Sequence, residues 1–472
     1  MVIGGGPGGY TAAEEAASRF GLRTALIEAE NLGGTCLNRG CIPTKTLLHT
    51  AGFFSGIREQ GARMGLRGYE ALDYDMRNLQ VRKNEVIETL RQGIRLSLQK
   101  AKVDVYQGRG QIIDRGKVRL IFGEDQVRGC TQEELETDKI LIASGMRPFL
   151  PPIPGIENRG VVTSDQLLEN EKKIDSLIII GGGVIGLEFA FLYRELGTVV
   201  TVIEALDDFL SPFDRELSRS IKQQMKKKGI SCHTSAPVRR IEKDPSGNPS
   251  LRVHFSEKGR DQEIDGEMVL VAAGRKPFWR DLLVGDADGH PVELAQTDKG
   301  YLRVDQSFET SVPGIYAAGD VIGGMELAHA AAAEGRAAVA CMQGEKPDID
   351  LHFVPSVVYT DPEIAQVGLT AKQAREKGLT AREAKYLMGA NGKSVLTMQD
   401  RSFIKLVYEE GSQKILGASM MCAHASDLIS QIAQALVEGT TLTRLAGVIF
   451  PHPSFAEAIG EACHQAESSS HA

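Results

Sequence analysis

The chain has 472 residues, of which 42% are hydrophobic and 25% charged, and its formal net charge is −8. This length predicts three or four domains of about 100–150 residues each. The acidic balance and the lack of a basic run make nucleic acids and anionic membranes unfavourable partners. The longest apolar stretch, residues 177–193, is interrupted by Glu188 and four glycines, so we do not expect it to span a membrane.

The first motif is a glycine-rich turn that follows a short apolar run and precedes an Ala-rich segment. Gly4, Gly6 and Gly9 form a G-x-G-x-x-G pattern, and Glu28 stands nineteen residues after Gly9. In a dinucleotide-binding βαβ unit the glycines let the backbone approach a pyrophosphate, and an acid about 20 residues later binds a ribose hydroxyl. A glycine-rich turn alone is a weak signal, but these features together predict a dinucleotide site.

Two cysteines follow, Cys36 and Cys41, in a stretch rich in Gly and Pro that continues through Lys45. We expect a loop that runs into a helix, with the thiols at the helix N-terminus, where the dipole favours a thiolate. A structural disulfide is an alternative, but seven cysteines are few for a disulfide scaffold and an odd number opposes complete pairing. A metal pair has closer spacing and further ligands nearby. We therefore predict a redox-active dithiol and no metal site.

The compartment is predicted from the N-terminus and from the cysteines. No basic segment begins the chain, so we expect neither a signal peptide nor a transit peptide. A catalytic dithiol is at home where glutathione and thioredoxin keep ordinary thiols reduced. The cytoplasm is therefore the expected location.

A long helix is predicted near residues 75–101, because apolar residues recur there at helical spacing. They are Leu79, Val86, Leu90, Ile94 and Leu98. This stripe favours a core or interface role over a direct functional one. A strand that ends at Gly145 closes a first unit, residues 1–150, and the proline-rich segment 148–154 is expected to be a stiff linker.

The same arrangement recurs in a second unit, residues 151–277. Gly181, Gly183 and Gly186 follow an apolar strand, and Glu204 follows the next strand. A short strand that ends in Ala-x-Gly closes each unit, here at Gly274. The second unit is therefore expected to be a repeat of the first and to contain a second dinucleotide site.

Two dinucleotide sites beside a dithiol suggest an electron relay between a tightly held flavin and a diffusible nicotinamide. Glu204 bears on which nicotinamide, since a carboxylate there binds the 2′-hydroxyl of NAD and repels the 2′-phosphate of NADP. Asp207 and Asp208 add to the repulsion, and no Arg stands in 204–208. NAD is therefore predicted, unless Glu204 serves only to solvate the end of a strand.

Segment 278–350 contains another strand, which ends at Gly319-Asp320 before an Ala-rich helix near 326–341. Asp320 is either a second hydroxyl ligand for the flavin's chain or an ordinary turn acid. The character of the chain then changes. Segment 351–472 is expected to hold a hairpin, with strands at 403–408 and 414–421, and a helix near 426–438 that ends at a glycine.

The last motif contains His452 between two prolines, followed by Ser454 and Glu457. Ser454 and Glu457 have the spacing of a capping box, so Glu457 could simply hold a helix start. Alternatively, it orients and charge-stabilises His452, because a His–carboxylate pair is a common acid–base device near neutral pH. Spacing alone leaves these two interpretations open.

The motifs together resemble those of the pyridine nucleotide–disulfide oxidoreductases, over essentially the whole chain. The resemblance rests on the cysteine motif, both glycine fingerprints and three further segments. These are Tyr316–Asp320, Pro355–Glu363 and His452–Glu457. Within the family the chain is most similar to the members that oxidise dihydrolipoamide in 2-oxo acid dehydrogenase and glycine cleavage complexes.

The resemblance implies an α/β fold with two Rossmann-like dinucleotide-binding domains and a C-terminal α+β dimerisation domain. We expect FAD to bind 1–150, NAD to bind 151–277, 278–350 to complete the FAD site, and 351–472 to form the dimer interface. Expected FAD contacts are Gly4, Gly6, Gly9, Glu28, Lys45, Gly145 and Asp320. Expected NAD contacts are Gly181, Gly183, Gly186, Glu204 and Gly274.

Residue roles are also implied by the resemblance. Cys36 would be the interchange thiol that meets the substrate, and Cys41 the thiol next to the flavin. Lys45 would lie beside the flavin, ion-paired with Glu188. In a homodimer, His452 would be a base supported by Glu457 and would act on the dithiol of the other subunit.

Three features depart from the family pattern. Arg39 lies between the cysteines, where many members have an apolar residue, and Asp361 stands before Pro362, where a His is common. Asp at that place also resembles mercuric reductases. Only Met1-Val2-Ile3 precede Gly4, so the first strand is short and a start further upstream is possible.

Three alternative functions can be weighed against this pattern. A mercuric reductase would need a C-terminal cysteine pair, and only Cys463 stands there. A glutathione reductase would favour basic residues at the NADP site, which Glu204 contradicts. A flavin-bearing subunit without turnover would have no reason to combine the dithiol with His452. Which disulfide is the physiological substrate, and which complex the protein serves, stay open.

Overall fold

A computed structural model describes residues 1–122, 131–243, 250–284, 292–399 and 402–470. Within these ranges the chain forms 13 α-helices and 23 β-strands. The helices are α1 (Pro7–Ser18), α2 (Gly34–Arg39), α3 (Cys41–Gln60), α4 (Met76–Lys100), α5 (Ser164–Leu167), α6 (Val184–Glu195), α7 (Arg215–Lys227), α8 (Ala328–Met342), α9 (Ala371–Glu376), α10 (Gly392–Leu396), α11 (Ala425–Val437), α12 (Leu442–Ala446) and α13 (Glu457–Ser470).

The strands are β1 (Val2–Ile3), β2 (Ala25–Glu28), β3 (Asp104–Gln107), β4 (Arg109–Asp114), β5 (Lys117–Phe122), β6 (Thr131–Glu136), β7 (Ile140–Ile142), β8 (Met146–Pro148), β9 (Val161–Thr163), β10 (Ser176–Ile180), β11 (Val199–Ile203), β12 (Ser231–His233), β13 (Val238–Lys243), β14 (Leu251–Glu257), β15 (Arg260–Gly266), β16 (Met268–Val271), β17 (Arg275–Pro277), β18 (Ile315–Ala317), β19 (Ser356–Val358), β20 (Ile364–Gly368), β21 (Ala381–Leu387), β22 (Phe403–Glu409) and β23 (Ile415–Met421).

Two parallel sheets carry the two dinucleotide fingerprints. The first has the order β18-β7-β1-β2-β3, and the second β9-β16-β10-β11-β12. Their inner strands are continuous apolar runs, as expected where helices cover both faces of a parallel sheet. In both sheets the fingerprint strand lies at the centre, and an antiparallel three-stranded sheet is inserted before the closing strand. The predicted repeat is therefore confirmed at the level of strand order.

The chain crosses between the two sheets twice at one place. β8 leaves the first unit and β17 returns to it, and these short strands pair antiparallel. Two hydrogen bonds flank the pairing, from Phe278 N to Gly145 O and from Phe149 N to Gly274 O, each 3.0 Å. The start of the expected linker 148–154 is thus held by a partner strand rather than by proline stiffness alone.

In its described residues, segment 278–350 contributes a strand to the first sheet rather than forming a sheet of its own. β18 pairs with β7, and α8 packs against α1. The two helices approach closely at glycines: a Cβ added at Gly335 would lie 2.2 Å from the carbonyl oxygen of Gly8. How the whole chain divides into the four expected domains stays a prediction.

The predicted long helix is confirmed as α4, and Asp75 caps it by accepting hydrogen bonds from the backbone of Arg77 and Asn78. Its apolar stripe is divided between two environments. Leu79 and Leu98 are buried, whereas Leu90 is 42% exposed. Only part of the stripe therefore packs in the core of this chain.

The C-terminal segment forms an antiparallel sheet in the order β19-β20-β23-β22-β21. The predicted hairpin is confirmed as β22 and β23, and the predicted helix as α11. The core between this sheet and its helices contains Cys463, which is 0% exposed. Among the helices of the described ranges, none is long and apolar enough to cross a membrane.

Close packing at Gly186 generates a stability prediction. A Cβ there would lie 2.0 Å from Gly181 O, whereas a Cβ at Gly93 in α4 would meet nothing within 4 Å. We expect Gly186→Ala to lower the free energy of unfolding by about 1–3 kcal/mol through overpacking. Gly93→Ala should raise the free energy of unfolding by about 0.4–1 kcal/mol, because alanine reduces the conformational entropy of the unfolded chain. Urea unfolding of both variants measures the difference, and a Gly186→Ala variant as stable as the original protein would contradict it.

Candidate active site

The two fingerprints have the same backbone geometry, which only glycine tolerates. Gly4 has φ +107° and Gly181 φ +117°, a region that other residues rarely adopt. A Cβ at Gly9 would lie 1.8 Å from Gly4 O, and one at Gly186 would lie 2.0 Å from Gly181 O. Each turn therefore folds its strand tightly back onto the following helix.

Each of these helices begins at a glycine that leaves its first amide groups without a side-chain cap. The N-caps are Gly6 for α1 and Gly183 for α6, and neither makes a side-chain cap hydrogen bond. Both glycines line one large cavity. Because free amides and the helix dipole attract anions, both helix starts fit a dinucleotide pyrophosphate.

The two acids of the fingerprints are held in matching ways. Glu28 Oε2 accepts a hydrogen bond from Gly5 N at 2.6 Å, and Glu204 Oε2 accepts one from Gly182 N at 2.5 Å. Both carboxylates line the cavity, and burial raises the pKa of Glu28. Carboxylates fixed in this way beside a glycine turn are suited to bind ribose hydroxyls.

Asp320 lies in the same cavity, directly after the left-handed Gly319, and burial raises its pKa. Behind it, Glu334 on α8 accepts a hydrogen bond from Gly319 N at 2.8 Å, and burial raises the Glu334 pKa to about 7. Sequence reasoning missed Glu334, because an acid in an Ala-rich helix carries no motif.

The cavity has a volume of about 1760 Å³, well above the ~300–1,000 Å³ of typical small-molecule sites. It contains both fingerprints, the dithiol and the ends of the closing strands. Sequence-predicted residues that line it are Gly4, Gly6, Glu28, Cys36, Cys41, Lys45, Gly145, Gly181, Gly183, Glu188, Glu204, Gly274 and Asp320. Its size and its two phosphate-accepting helix starts fit one FAD and one NAD.

The local structure around the dithiol differs partly from expectation. Cys41 is the first residue of α3, as predicted, but Cys36 lies within the short helix α2 rather than in a loop. Gly33 starts this turn with φ +96°, and Asn38 Nδ2 donates to the carbonyl of Gly34 at 2.8 Å. Arg39 pairs with Glu30 rather than with the thiols.

The two thiols are free cysteines that interact with each other, which corresponds to the reduced form of the pair. A hydrogen bond from Cys36 and the charge of Lys45 lower the pKa of Cys41 to about 7, against the effect of burial. The same hydrogen bond and burial raise the pKa of Cys36 well above its usual range. Of the two thiols, Cys41 is therefore the one that loses its proton more readily, and Cys36 the one that holds it more tightly.

Lys45 on α3 contacts one residue of the second unit and one residue of the C-terminal segment. Its Nζ lies 2.7 Å from Glu188 Oε2 on α6 and 4.6 Å from the centre of the Tyr359 ring. The other oxygen, Glu188 Oε1, accepts a hydrogen bond from Tyr359 N at 3.1 Å. Sequence reasoning placed Tyr359 in a motif but assigned it no role, since this contact joins residues far apart in the chain.

His452 and Glu457 form the expected pair. His452 Nδ1 lies 2.8 Å from Glu457 Oε1, and Ser454 N donates to Glu457 Oε2 at 2.7 Å. These contacts, led by the Ser454 amide, lower the pKa of Glu457. The capping box is only half present, because the Ser454 hydroxyl finds no partner. The Glu457 carboxylate thus makes both of the contacts considered from the sequence: one holds the start of α13 and the other orients the His452 imidazole.

His452 is 78% exposed and does not line the cavity described above. Within one chain, the structure therefore brings together the dithiol, Lys45 and Glu188, but not His452. Asp361 also lies outside this cavity, paired with Lys228 at 2.8 Å. Among the described residues, no group of three or more His, Cys, Asp or Glu side chains is arranged to hold a metal ion.

Two family models match the chain. Residues 1–335 match the pyridine nucleotide-disulphide oxidoreductase model, and residues 354–463 match the dimerisation domain of the same family. The second match covers the antiparallel sheet and most of its helices. This segment is therefore a dimerisation domain, which supports a homodimer.

Relatives and solved structures are similar over nearly the whole length. The chain is 36% identical to a dihydrolipoyl dehydrogenase of Bacillus subtilis, over 99% of this chain and 97% of the relative. It is 33% identical to one of Geobacillus stearothermophilus, over 99% and 95%. LpdA of Mycobacterium tuberculosis superposes with a TM-score of 0.87 at 27% identity, over 98% and 99%. A Cu(II) complex of the HOCl-induced flavoprotein disulfide reductase RclA of Escherichia coli superposes with a TM-score of 0.84 at 30% sequence identity, over 98% of both chains.

The assignment of the thiolate can be tested by alkylation of the reduced protein across a pH series. In Cys36→Ser, iodoacetamide should modify Cys41 with an apparent pKa of about 7, because the thiolate is the nucleophile and the introduced hydroxyl still donates a hydrogen bond. In Cys41→Ser, Cys36 should stay unreactive near neutral pH. Adding Lys45→Met to Cys36→Ser should raise the Cys41 value by roughly 1 unit or more, as expected for loss of a nearby opposite charge.

Mass spectrometry locates the modified residue, and Lys45→Arg, which keeps the charge, is the matched control. Cys232, Cys341, Cys422 and Cys463 should stay silent at neutral pH, since burial raises the pKa of each. Reactive Cys36 in Cys41→Ser, together with unreactive Cys41 in Cys36→Ser, would reverse the assignment.

Proposed function

This chain belongs to the pyridine nucleotide-disulphide oxidoreductase family, and from that membership we propose that it is a dihydrolipoyl dehydrogenase. It oxidises dihydrolipoamide to lipoamide and passes the electrons to NAD. The observation that carries the proposal is the single cavity that contains the Cys36–Cys41 dithiol and two dinucleotide fingerprints. Identity of 32–36% to dihydrolipoyl dehydrogenases over almost the full length supports this substrate.

The dithiol half-reaction follows from the different pKa values of the two thiols. His452 takes a proton from dihydrolipoamide, and the substrate thiolate attacks the Cys36 sulfur of the oxidised pair. The Cys36–Cys41 bond breaks and Cys41 leaves as a thiolate, which its low pKa favours. The second substrate thiol then attacks the mixed disulfide and releases lipoamide, and Cys36 takes up a proton. Two electrons now reside on the reduced pair.

The fingerprint residues support FAD and NAD as the two cofactors. Glu28 and Asp320 would hold FAD with the first helix start, and Glu204 would hold NAD with the second. When bound, the flavin carries the two electrons from the dithiol to the nicotinamide. The protein's contribution is position and charge: Lys45 stabilises the Cys41 thiolate, and Glu188 fixes Lys45.

The assembly is a homodimer with shared active sites. His452 lies outside its own chain's cavity and is largely exposed, which supports its action on the dithiol of the other subunit. A monomer would then lack a base at the dithiol and be inactive. We propose the division 1–150, 151–277, 278–350 and 351–472 for FAD, NAD, central and dimerisation domains.

The physiological partner would be the lipoyl domain of a 2-oxo acid dehydrogenase or glycine cleavage complex. A lipoyl group on such a domain carries the dithiol of dihydrolipoamide, so the same half-reaction would apply to it. The cytoplasm is the proposed location. Structural disulfides are rare there, whereas a disulfide that forms and breaks during catalysis, as proposed for Cys36 and Cys41, is compatible with that compartment.

The alternative is another disulfide or metal-ion reductase of the same family. The chain is similar to RclA, which is named as a flavoprotein disulfide reductase, and this similarity favours a disulfide other than lipoamide as the alternative substrate. A mercuric reductase is not supported, because Cys463 is fully buried and burial raises its pKa to about 12. NADH-dependent reduction of lipoamide, mercuric ion and oxidised glutathione, measured side by side, tests the proposal. Turnover with lipoamide below that with either other acceptor would refute it.

The preference for NAD gives a second test. Glu204 should favour NADH over NADPH by roughly 1–3 kcal/mol, or about one to two decades in kcat/KM, because the 2′-phosphate meets an unpaired negative charge. Glu204→Gln should narrow the gap by removing that charge. Asp208→Asn, at a second carboxylate that lines the cavity without a contact to Gly182, is the control and should narrow it less. Equal kcat/KM values for the two cofactors in the original protein would contradict the assignment.

The base gives a third test. His452→Gln should slow the dithiol half-reaction by about 10²–10⁴-fold, the usual contribution of a positioned acid or base. The NADH half-reaction should barely change, because it needs no imidazole. In Glu457→Gln the rate of the dithiol half-reaction should lie between those of His452→Gln and the original protein, since the imidazole remains but loses the carboxylate that orients it. Stopped-flow traces separate the two halves, and His424→Gln, at another exposed histidine of the dimerisation domain, is the control. Equal losses in both halves would indicate a folding or dimer defect and remove the role.

A further inference from the structure

The loop that carries His452 is held almost entirely by side chains. It lies between α12, which ends at Ala446, and α13, which begins at Glu457. In the described part of the chain, residues 449–454 make no backbone–backbone hydrogen bond. Pro451 and Pro453 restrict the loop's own backbone, but without such bonds the backbone does not attach the loop to neighbouring elements. The position of the imidazole therefore depends on the side chains that bind this loop from outside.

Ser454 is bound from both sides. Its amide donates to Glu457 Oε2 at 2.7 Å, and its carbonyl accepts from Asn391 Nδ2 at 2.8 Å. Glu457 also binds His452 Nδ1 through its other oxygen. The two bonds on Ser454 thus connect Asn391 to the imidazole through the backbone of Ser454 and the Glu457 carboxylate.

Asn391 is itself firmly placed. It is 4% exposed and forms the N-cap of α10, where its Oδ1 accepts from Ser394 N at 3.0 Å. The next residue, Gly392, lies beside the imidazole: a Cβ added there would be 3.8 Å from His452 Cε1. The start of α10 therefore backs the histidine loop, and Asn391 supplies its hydrogen bond to that loop.

We infer that Asn391 is a positioning residue for His452, an inference that rests on the proposed role of His452 as the base. Its amide is the group that suits both contacts. The oxygen caps α10 as an Asp oxygen would, but the Nδ2 group donates to the Ser454 carbonyl, and a carboxylate at that point could only repel it. The side chain thus fixes the loop from the side opposite to Glu457 and keeps the imidazole in line for proton transfer.

The test measures both half-reactions in Asn391→Asp, in Asn391→Ala and in the original protein, each as the holoenzyme dimer. Asp keeps the cap and loses the donor, whereas Ala loses both. Both variants should slow the dithiol half-reaction by about threefold to thirtyfold, the expected effect of one lost hydrogen bond that aims the base. The NADH half-reaction should stay within about twofold. Thr370→Ala, which removes the N-cap of α9 in the same domain, is the matched control and should leave both half-reactions unchanged.

A double variant distinguishes positioning from a general structural effect. In a His452→Gln background there is no imidazole to aim, so adding Asn391→Asp should cost nothing further in the dithiol half-reaction. Equal losses from Asn391→Asp in the presence and absence of His452 would overturn the inference. So would an Asn391→Asp holoenzyme with an unchanged dithiol half-reaction, provided that His452→Gln is slow.

The proposed function fails by a different result. If His452→Gln itself leaves the dithiol half-reaction unchanged, then the base assignment is wrong and the positioning role of Asn391 falls with it. Dimer content by sedimentation and flavin content by absorbance are measured for every variant. An Asn391→Asp protein that loses its dimer or its flavin, and recovers the dithiol half-reaction when these are restored, would also overturn the positioning role.

Discussion

The carboxylate of Glu188 joins three parts of the chain at one point. It stands on α6 of the second parallel sheet, binds Lys45 on the dithiol helix and accepts the backbone amide of Tyr359 at the edge of the dimerisation domain. Its side chain is 5% exposed, and a buried charge is tolerated only where it is paired and hydrogen-bonded. The relative placement of the three parts is therefore tied to the same contact that sets the charge beside Cys41.

The repeated architecture explains how one cavity can serve two nucleotides. Each sheet presents an uncapped helix start and a carboxylate held by a glycine amide. The two copies face a common space rather than separate clefts. The dithiol lies at the first copy because α2 packs directly on its fingerprint: a Cβ at Gly34 would lie 2.6 Å from Gly6 Cα. Redox chemistry is thus placed by the same close backbone packing that forms the phosphate site.

Features whose residues are close in sequence could be predicted from spacing. Features that join distant residues could not, except where the family resemblance implied them, as for the ion pair of Lys45 and Glu188. The fingerprints, α4, the hairpin and the His452–Glu457 pair depend on spacing that is visible in the chain. The pairing of β8 with β17, the Tyr359 amide on Glu188 and the Asn391 contact with Ser454 join residues that are 63 to 171 positions apart or lie in different units. Spacing does not encode such contacts, because only the packed sheets bring the partners together. Cys36 was expected in a loop because glycine favours loops, but a short helix begins there after left-handed Gly33, and the Asn38 side chain bonds the carbonyl of its first residue, Gly34.

The origin of β18 has a consequence for biosynthesis. The edge strand of the first sheet comes from residues 315–317, beyond the entire second unit, whereas the second sheet draws all its strands from 161–271. Domains fold in the order in which their parts leave the ribosome, and distant pairings close last because of their loop entropy. The second unit is therefore complete while the first still exposes an unpaired edge at β7. An exposed edge of this kind is open to intermolecular pairing, so the first unit is exposed to mispairing until residues 315–317 have been synthesised.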